Sequence, residues 1–157
     1  MSWMTGRAAA LGLLLCAQPG AAALGDAELD QPRTVTQREW LSLRLQVLGL
    51  RLSYPAYRVR LELTEGNKVQ FSLWISAPMA EHLKESGRRE TKRLLTYHAE
   101  GIRTRVEELL EADFPSLWKA YDERADFVGE YMAPGEEVEA PPQRWARWQK
   151  GAFRWEP

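Results

Sequence analysis

The clearest hydrophobic pattern of the chain lies between positions 57 and 75, where apolar and polar side chains alternate along two runs. Alternation with a period of two, rich in β-branched and aromatic residues, is typical of strands that bury one face. The two runs therefore predict an antiparallel hairpin. Its apolar face consists of Tyr57, Val59, Leu61, Leu63, Val69, Phe71, Leu73 and Ile75.

The loop between the runs sets the register of this hairpin. A two-residue loop would place the two apolar sets on opposite faces, which is strongly disfavoured when one face is buried. A three-residue loop over residues 65–67 instead pairs Leu63 with Val69 and puts Asn67 in the left-handed conformation, which asparagine tolerates. On the polar face the same register sets Arg58 opposite Trp74, where a cation–π contact can form.

A lone hairpin is marginally stable, so its apolar face needs a cover. The next segment supplies one, because Ser76 can cap a helix, Pro78 suits the first turn, and an apolar stripe follows at spacings of three and four. Polar residues 84–93 interrupt the stripe, and Ser86-Gly87 predicts a kink or a split there. Residues 113–115 end the helix. The stripe consists of Met79, Leu83, Leu94, Leu95, His98, Ile102, Val106, Leu109 and Leu110.

Residues 37–48 are predicted to form a helix. Thr36 and Glu39 form a T-x-x-E capping box, and Gly49 is a suitable C-terminal stop. In the alternative, residues 41–47 alternate as a third strand, with a bulge beside Gly49. Both interpretations give an α+β fold.

After the long helix the pattern weakens. Pro115 opens a short predicted helix with Asp113 as its candidate cap. Residues 126–132 predict an extended segment or weak strand, and residues 133–142 predict an acidic, proline-rich loop.

The C-terminal tail predicts a second hairpin that turns at Lys150-Gly151. Its expected pairs are Trp148 with Phe153, Ala146 with Trp155, and Arg147 with Arg154. Like charges directly opposed are destabilising. Either a carboxylate such as Glu137 or Glu139 neutralises Arg147 and Arg154, or a ligand does, or the register is wrong.

These elements together predict a small single α+β domain over residues 34–157. A central antiparallel β-hairpin is covered by a long amphipathic helix, with an N-terminal helix or strand and an aromatic C-terminal segment. No repeat at a fixed period is visible, and a second domain is not expected.

Residues 1–23 have the pattern of a secretory signal peptide. Arg7 precedes an apolar run over residues 8–16 that is too short to span a bilayer, and small residues follow up to Ala23, after which cleavage is expected. Cys16 permits a lipoprotein alternative, which the large side chain before it disfavours. The protein is therefore expected to be exported and periplasmic.

Cleavage at that point would remove Cys16, the only cysteine, so disulfides and cysteine chemistry are not expected. It would remove one of 21 basic residues and none of the 22 acidic ones, leaving a formal charge of −2. Such a small charge implies no nucleic-acid partner. Residues 24–33 are expected to be a flexible lead-in, and no later run is apolar enough for a transmembrane segment.

Motifs for catalysis are absent from the sequence. His98 has no second histidine four residues away, neither H-E-x-x-H nor G-x-S-x-G occurs, and the acidic residues 136–139 lack EF-hand spacing. A packed histidine is the simpler interpretation of His98. No catalytic residue, metal or cofactor is predicted.

Tryptophan and arginine concentrate at a few places, and both are enriched at binding hot spots. Core tryptophans beside solvated arginines are the simpler interpretation. The candidate ligand-binding residues are Arg58, Trp74, His98, Trp145, Arg147, Trp148, Arg154 and Trp155.

The sequence leaves three hypotheses for function. The first is an exported, non-catalytic accessory or binding protein of the bacterial cell envelope, acting through contacts with an envelope protein or a small ligand. The second is a small exported hydrolase with a site between the hairpin and the long helix, using His98. The third is a glycan-binding module that uses the C-terminal tryptophan and arginine residues.

Overall fold

The computed structural model describes residues 35–137 and 139–157. The signal peptide predicted for residues 1–23 and the lead-in predicted for residues 24–33 lie outside this part of the chain. The elements, in order, are α1 (Gln37–Leu52), β1 (Tyr57–Leu63), β2 (Val69–Ile75), α2 (Ala77–Asp113), α3 (Pro115–Trp118), α4 (Glu123–Asp126), β3 (Phe127–Ala133), β4 (Gln143–Gln149) and β5 (Ala152–Trp155).

The five strands form one mixed sheet in the order β1-β2-β3-β4-β5. Neighbouring strands are antiparallel except β2 and β3, which run parallel and are connected through α2. Parallel neighbours need a long crossover, and a helix usually provides it. The α+β class is confirmed, and Thr36–Pro157 form one compact unit. The sheet is larger than the predicted central hairpin, because β3 and the C-terminal hairpin extend it.

The first hairpin has the predicted register. Leu63 pairs with Val69, and Asn67 adopts a φ of 59°. Arg58 lies opposite Trp74 as predicted. The cation–π contact proposed for that pair does not form, since the cation–π contacts among the described residues involve other arginines.

Helix α2 covers one face of the sheet and bends where the sequence predicts a kink. Ser76 is the N-cap residue, although its side chain makes no capping hydrogen bond. Gly87 interrupts the helical conformation with a φ of 82°. Across this break the buried Thr91 hydroxyl donates a hydrogen bond of 2.8 Å to the Leu83 carbonyl. The kink is thus held by a specific contact, and the helix ends at Asp113.

Helix α1 confirms the helical interpretation of residues 37–48 and the Thr36 capping box. Gly49 was expected to stop the helix, and this prediction is wrong, because α1 continues to Leu52. Gly49 instead faces the edge strand β1. A Cβ atom there would lie 3.1 Å from the Val59 carbonyl oxygen and 3.2 Å from the Leu61 nitrogen. The absence of a side chain lets α1 approach the strand backbone closely.

Ser53 completes the contact between α1 and the edge of the sheet. Its hydroxyl donates to the Gly49 carbonyl at 2.9 Å and accepts from the Val59 N–H at 2.9 Å. Exposed strand edges invite pairing with other chains, so their backbone groups are usually covered. Helix α1 and Ser53 give β1 such a cover.

The core lies between the covered face of the sheet and the two long helices. The Phe71 ring packs against Phe127 and Tyr131, with ring centroids 5.2 and 5.6 Å apart. The Tyr131 hydroxyl donates a hydrogen bond of 3.0 Å to the Leu95 carbonyl of α2. Gly129 lies directly beneath the Phe71 ring. This arrangement joins strands β2 and β3 to the helix that connects them.

The C-terminal hairpin has the predicted pairs, Trp148 with Phe153, Ala146 with Trp155, and Arg147 with Arg154. Lys150 and Gly151 have φ values of 53° and 69°, as a type I′ turn requires. The carboxylate that neutralises Arg147 is Glu156, not Glu137 or Glu139. Glu156 follows β5 directly and is therefore held beside Arg147 by the hairpin itself.

One further cap prediction is wrong. Phe114, rather than Asp113, is the N-cap residue of α3. Asp113 is the last residue of α2, and its carboxylate forms an ion pair of 2.5 Å with Arg44 of α1. The side chain therefore links two long helices instead of capping a short one.

Candidate functional site

Helix α1 carries an apolar stripe on its outer side, here called the outer stripe and formed by Trp40, Leu43, Val47 and Leu50. Their side chains are 47, 50, 45 and 70 % exposed, whereas Leu41 and Leu45 on the inner side are buried. Single exposed apolar residues are common on protein surfaces, but a contiguous set marks an interaction site. The spacing of three, four and three residues is that of the seam along which two helices pack.

Arginine side chains border the outer stripe, some of them paired with described carboxylates and some not. Arg44 stacks over Trp40 at 5.7 Å and pairs with Asp113. Beside Leu50 a groove of about 640 Å³ runs onto the uncovered face of the sheet. It is lined by Gln46, Leu50, Arg58, Val59, Arg60, Leu61, Glu62 and Trp74. Two of the predicted site residues, Arg58 and Trp74, therefore lie beside the outer stripe.

A second concave region, here called the terminal groove, has a volume of about 400 Å³ and lies between α2 and the C-terminal hairpin. It is lined by Leu83, Lys84, Arg88, Thr91, Gln143, Arg144, Trp145, Trp155, Glu156 and Pro157. The Arg88 guanidinium lies over the Trp155 ring at 5.0 Å. Both indoles, Trp145 and Trp155, are half-buried, so part of each remains accessible.

Among the described residues, the acidic side chain of the terminal groove is paired, whereas two of its basic side chains are not. Glu156 is neutralised by two arginines, since it pairs with Arg147 and lies 3.4 Å from Arg144. Lys84 and Arg88, by contrast, form no ion pair with any carboxylate in the described part of the chain. The groove therefore has an excess of positive charge beside its tryptophan side chains.

His98 lies in a third cavity, of about 350 Å³, between the start of β1 and α2. The centroid of its ring lies 4.5 Å from that of Tyr57 and 5.9 Å from that of Tyr97. Within the described residues no carboxylate pairs with it and no side chain hydrogen-bonds to it. Burial lowers the pKa of the imidazole. Burial therefore favours the neutral form of His98, which has the surroundings of a packed aromatic side chain.

The lowered pKa of His98 gives an expected pH dependence. The unfolded chain, with an ordinary histidine pKa near 6.5, binds the proton more readily than the folded chain does. The free energy of unfolding should therefore decrease as the pH falls below about 6.5 and should not depend on this group above it. When the free energy of unfolding is measured in urea between pH 5.5 and 7.5, it should depend less on pH in His98→Gln than in the wild type. His82→Gln serves as the control for removing a histidine elsewhere, and equal dependences in His98→Gln and wild type would contradict the prediction.

The structure divides the predicted site residues among five places. Arg58 and Trp74 lie on the uncovered face of the sheet beside the outer stripe, and His98 lies in its own cavity. Trp145 and Trp155 line the terminal groove. Trp148 is 1 % exposed and belongs to the core. The register places Arg147 and Arg154 on the face opposite Trp148.

Sequence reasoning missed the outer stripe and the two cations of the terminal groove. The stripe spacing is visible in the sequence, but α1 is apolar on two sides, and the pattern does not reveal which side is exposed. Lys84 and Arg88 are far from Trp155 in the chain, and only the fold brings them together.

Across residues 35–137 and 139–157, no group of three metal-ligating side chains is positioned to hold a metal ion. None of the helices there is long and apolar enough to cross a bilayer. The comparisons with family models, curated proteins and solved structures find no match to this chain.

Proposed function

We propose that this chain is an exported, non-catalytic binding protein of the bacterial cell envelope, which docks a partner protein on the outer stripe. The observation that carries the proposal is the exposure of Trp40, Leu43, Val47 and Leu50 on one side of a helix whose other side is core. Keeping these side chains in water is costly, and their burial against a partner would be favourable at roughly 25 cal/mol per Å².

The occupant we propose is an amphipathic helix of the partner with acidic residues beside its apolar stripe. A helix suits the stripe, because side chains at spacings of three and four interlock with those of a second helix. The acidic flanks are proposed because Arg51 and Arg58, which border the stripe and its groove, form no ion pair with a described carboxylate. Complementary charge at the rim would speed association and orient the partner.

The surroundings of His98 support a binding role over the hydrolase alternative. A catalytic histidine acts as a base when a third group orients it and a nucleophile lies within hydrogen-bond reach. The ring of His98 instead contacts the aromatic rings of Tyr57 and Tyr97. Export is proposed from residues 1–23 alone, whose pattern is that of a signal peptide.

Photo-crosslinking in the cells that produce the protein tests the docking surface. A photoreactive amino acid at Val47 should give one discrete adduct with a second protein, whose crosslinked peptide is an amphipathic helix with acidic flanks. The same amino acid at the exposed Thr104 of α2 is the matched control and should give no such adduct. The same mass spectra should show Leu24 as the first residue of the mature protein.

A double substitution, Leu43→Glu with Leu50→Glu, should abolish the Val47 adduct, whereas Thr104→Glu should leave it unchanged. Both glutamates replace exposed side chains, so the free energy of unfolding should change by no more than about 0.5 kcal/mol per site. Equal adducts at Val47 and Thr104 would overturn the docking proposal. An adduct with only a second copy of this chain, or only with lipid, would also overturn it.

A further inference from the structure

The geometry points to the terminal groove as a second, separate binding site that takes an acidic saccharide, a sugar chain carrying carboxylate groups. The terminal groove is separate from the outer stripe, which lies on α1. The groove combines two half-buried indoles, two cations without a carboxylate partner among the described residues, and a bent helix that holds them together.

The positive charge of the groove selects an anionic group. Lys84 and Arg88 are exposed and form no ion pair with a described carboxylate, while the nearby Glu156 is already neutralised by Arg144 and Arg147. Glu156 is the one described lining residue with a carboxylate side chain, and because it is already paired it does not compete with a ligand carboxylate for Lys84 and Arg88. Arginine in particular binds carboxylates through two parallel N–H groups.

Stacking prepares Arg88 for this role. Its guanidinium lies over the Trp155 ring at 5.0 Å, a cation–π arrangement that restricts the side chain. The N–H groups lie in the guanidinium plane and remain available at its edges. Less conformational entropy is then lost when a ligand binds, because the arginine is already positioned.

The rest of the lining suits a sugar better than a wholly apolar molecule. Trp145 offers a flat apolar surface on which the C–H face of a sugar ring can lie, while the Trp155 ring supports the Arg88 guanidinium stacked on it. Gln143 and Arg144, both exposed, can exchange hydrogen bonds with hydroxyl groups. Half of the lining residues are exposed, namely Lys84, Arg88, Gln143, Arg144 and Pro157, so a bound ligand keeps part of its surface in water, as a hydroxylated chain tolerates.

The break in α2 brings these parts together. Gly87 has a φ of 82°, which favours glycine, and the helix resumes at Arg88. The hydrogen bond from Thr91 to the Leu83 carbonyl fixes the two helical parts against each other. Leu83 and Thr91 are buried beneath the groove, so the kink positions Lys84 and Arg88 on a rigid base.

Binding of two hexasaccharides to the mature protein tests the inference. Hyaluronan hexasaccharide carries alternating carboxylates, whereas maltohexaose is neutral. Calorimetry should detect the acidic chain only, with the affinity falling as salt is raised because salt screens exposed charges. In ¹H–¹⁵N spectra the indole N–H signals of Trp145 and Trp155 should move, and that of the buried Trp148 should not.

Variants distinguish a site from general attraction between charges. Arg88→Ala and Lys84→Ala should each weaken the binding of hyaluronan hexasaccharide by about tenfold, the effect of losing roughly 1.4 kcal/mol. Arg154→Ala is the matched control, since it removes one exposed positive charge from the opposite face of the same hairpin, and it should leave the affinity unchanged. Trp155→Phe, which keeps a ring at this position, should weaken binding less than Trp155→Ala.

Several outcomes would overturn the inference. These are equal binding of the two hexasaccharides, equal losses in Arg88→Ala and Arg154→Ala, or no heat of binding at millimolar ligand. Binding to anionic phospholipid vesicles with no response to the oligosaccharide would assign the groove to a membrane instead. The Val47 crosslink should be unaffected by Arg88→Ala, so failure of one proposal is distinguishable from failure of the other.

Discussion

Replacing Gly129 by alanine should lower the free energy of unfolding by about 3 kcal/mol or more, at the upper end of the cost of overpacking a core. An added Cβ atom would lie 2.1 Å from the nearest carbon of the Phe71 ring. That ring is 0 % exposed and is held by Phe127 and Tyr131, so it has no room to move away. Equilibrium unfolding in urea measures the effect.

Gly101→Ala is the matched control for this substitution. Gly101 lies in α2, is exposed, and has no atom within 4 Å of an added Cβ. Alanine is favoured over glycine inside a helix, so this variant should gain about 1 kcal/mol. The double variant Gly129→Ala with Phe71→Leu should recover part of the loss, because the two sites share one contact. If Gly129→Ala were as stable as the wild type, the packing of Phe71 over Gly129 would be wrong.

The second large effect is expected for Trp148→Ala, which should cost about 3–5 kcal/mol. Trp148 is 1 % exposed and pairs with Gly129 on β3 and with Phe153 on β5. Removing the indole would leave a cavity beneath the C-terminal hairpin that its neighbours cannot fill. Urea unfolding followed by circular dichroism measures the loss without relying on the tryptophan signal that the substitution alters.

Trp74→Ala is the matched control, because it removes the same side chain from the uncovered face of the same sheet. Trp74 is half-buried, so its loss should cost less than half as much as that of Trp148. Equal costs in the two variants would place Trp148 outside the core. A core role for Trp148 also explains why it is not part of either proposed binding surface.

Short-range sequence patterns are sufficient to predict both hairpins of the fold. The alternation in the first hairpin, together with the tolerance of Asn67 for positive φ, predicts the pairing of Leu63 with Val69 that the structure shows. The turn at Lys150-Gly151 predicts the second hairpin in the same way. In both cases the contacts join residues that are close in the chain, so turn chemistry and side-chain alternation determine the register.

Contacts between distant residues were beyond such reasoning. Gly49 resembles a helix stop by its local sequence, yet it is the residue that lets α1 lie against the edge of β1. The candidate tryptophans also depend on long-range contacts. Trp148 is buried in the core, whereas Trp145 and Trp155 line a groove together with Lys84 and Arg88 of α2. A list of aromatic and basic residues does not distinguish these two environments.

The two binding surfaces illustrate where each kind of information comes from. Helix formation in α1, the kink at Gly87 and both hairpins follow from capping groups, glycine and alternation, which act over a few residues. The packing of the helices on the sheet decides which side of α1 faces solvent and which cations approach Trp155. In that sheet the parallel pair β2 and β3 joins segments more than fifty residues apart. Burial is a property of the assembled core, so these surfaces emerge only once the long-range pairing is known.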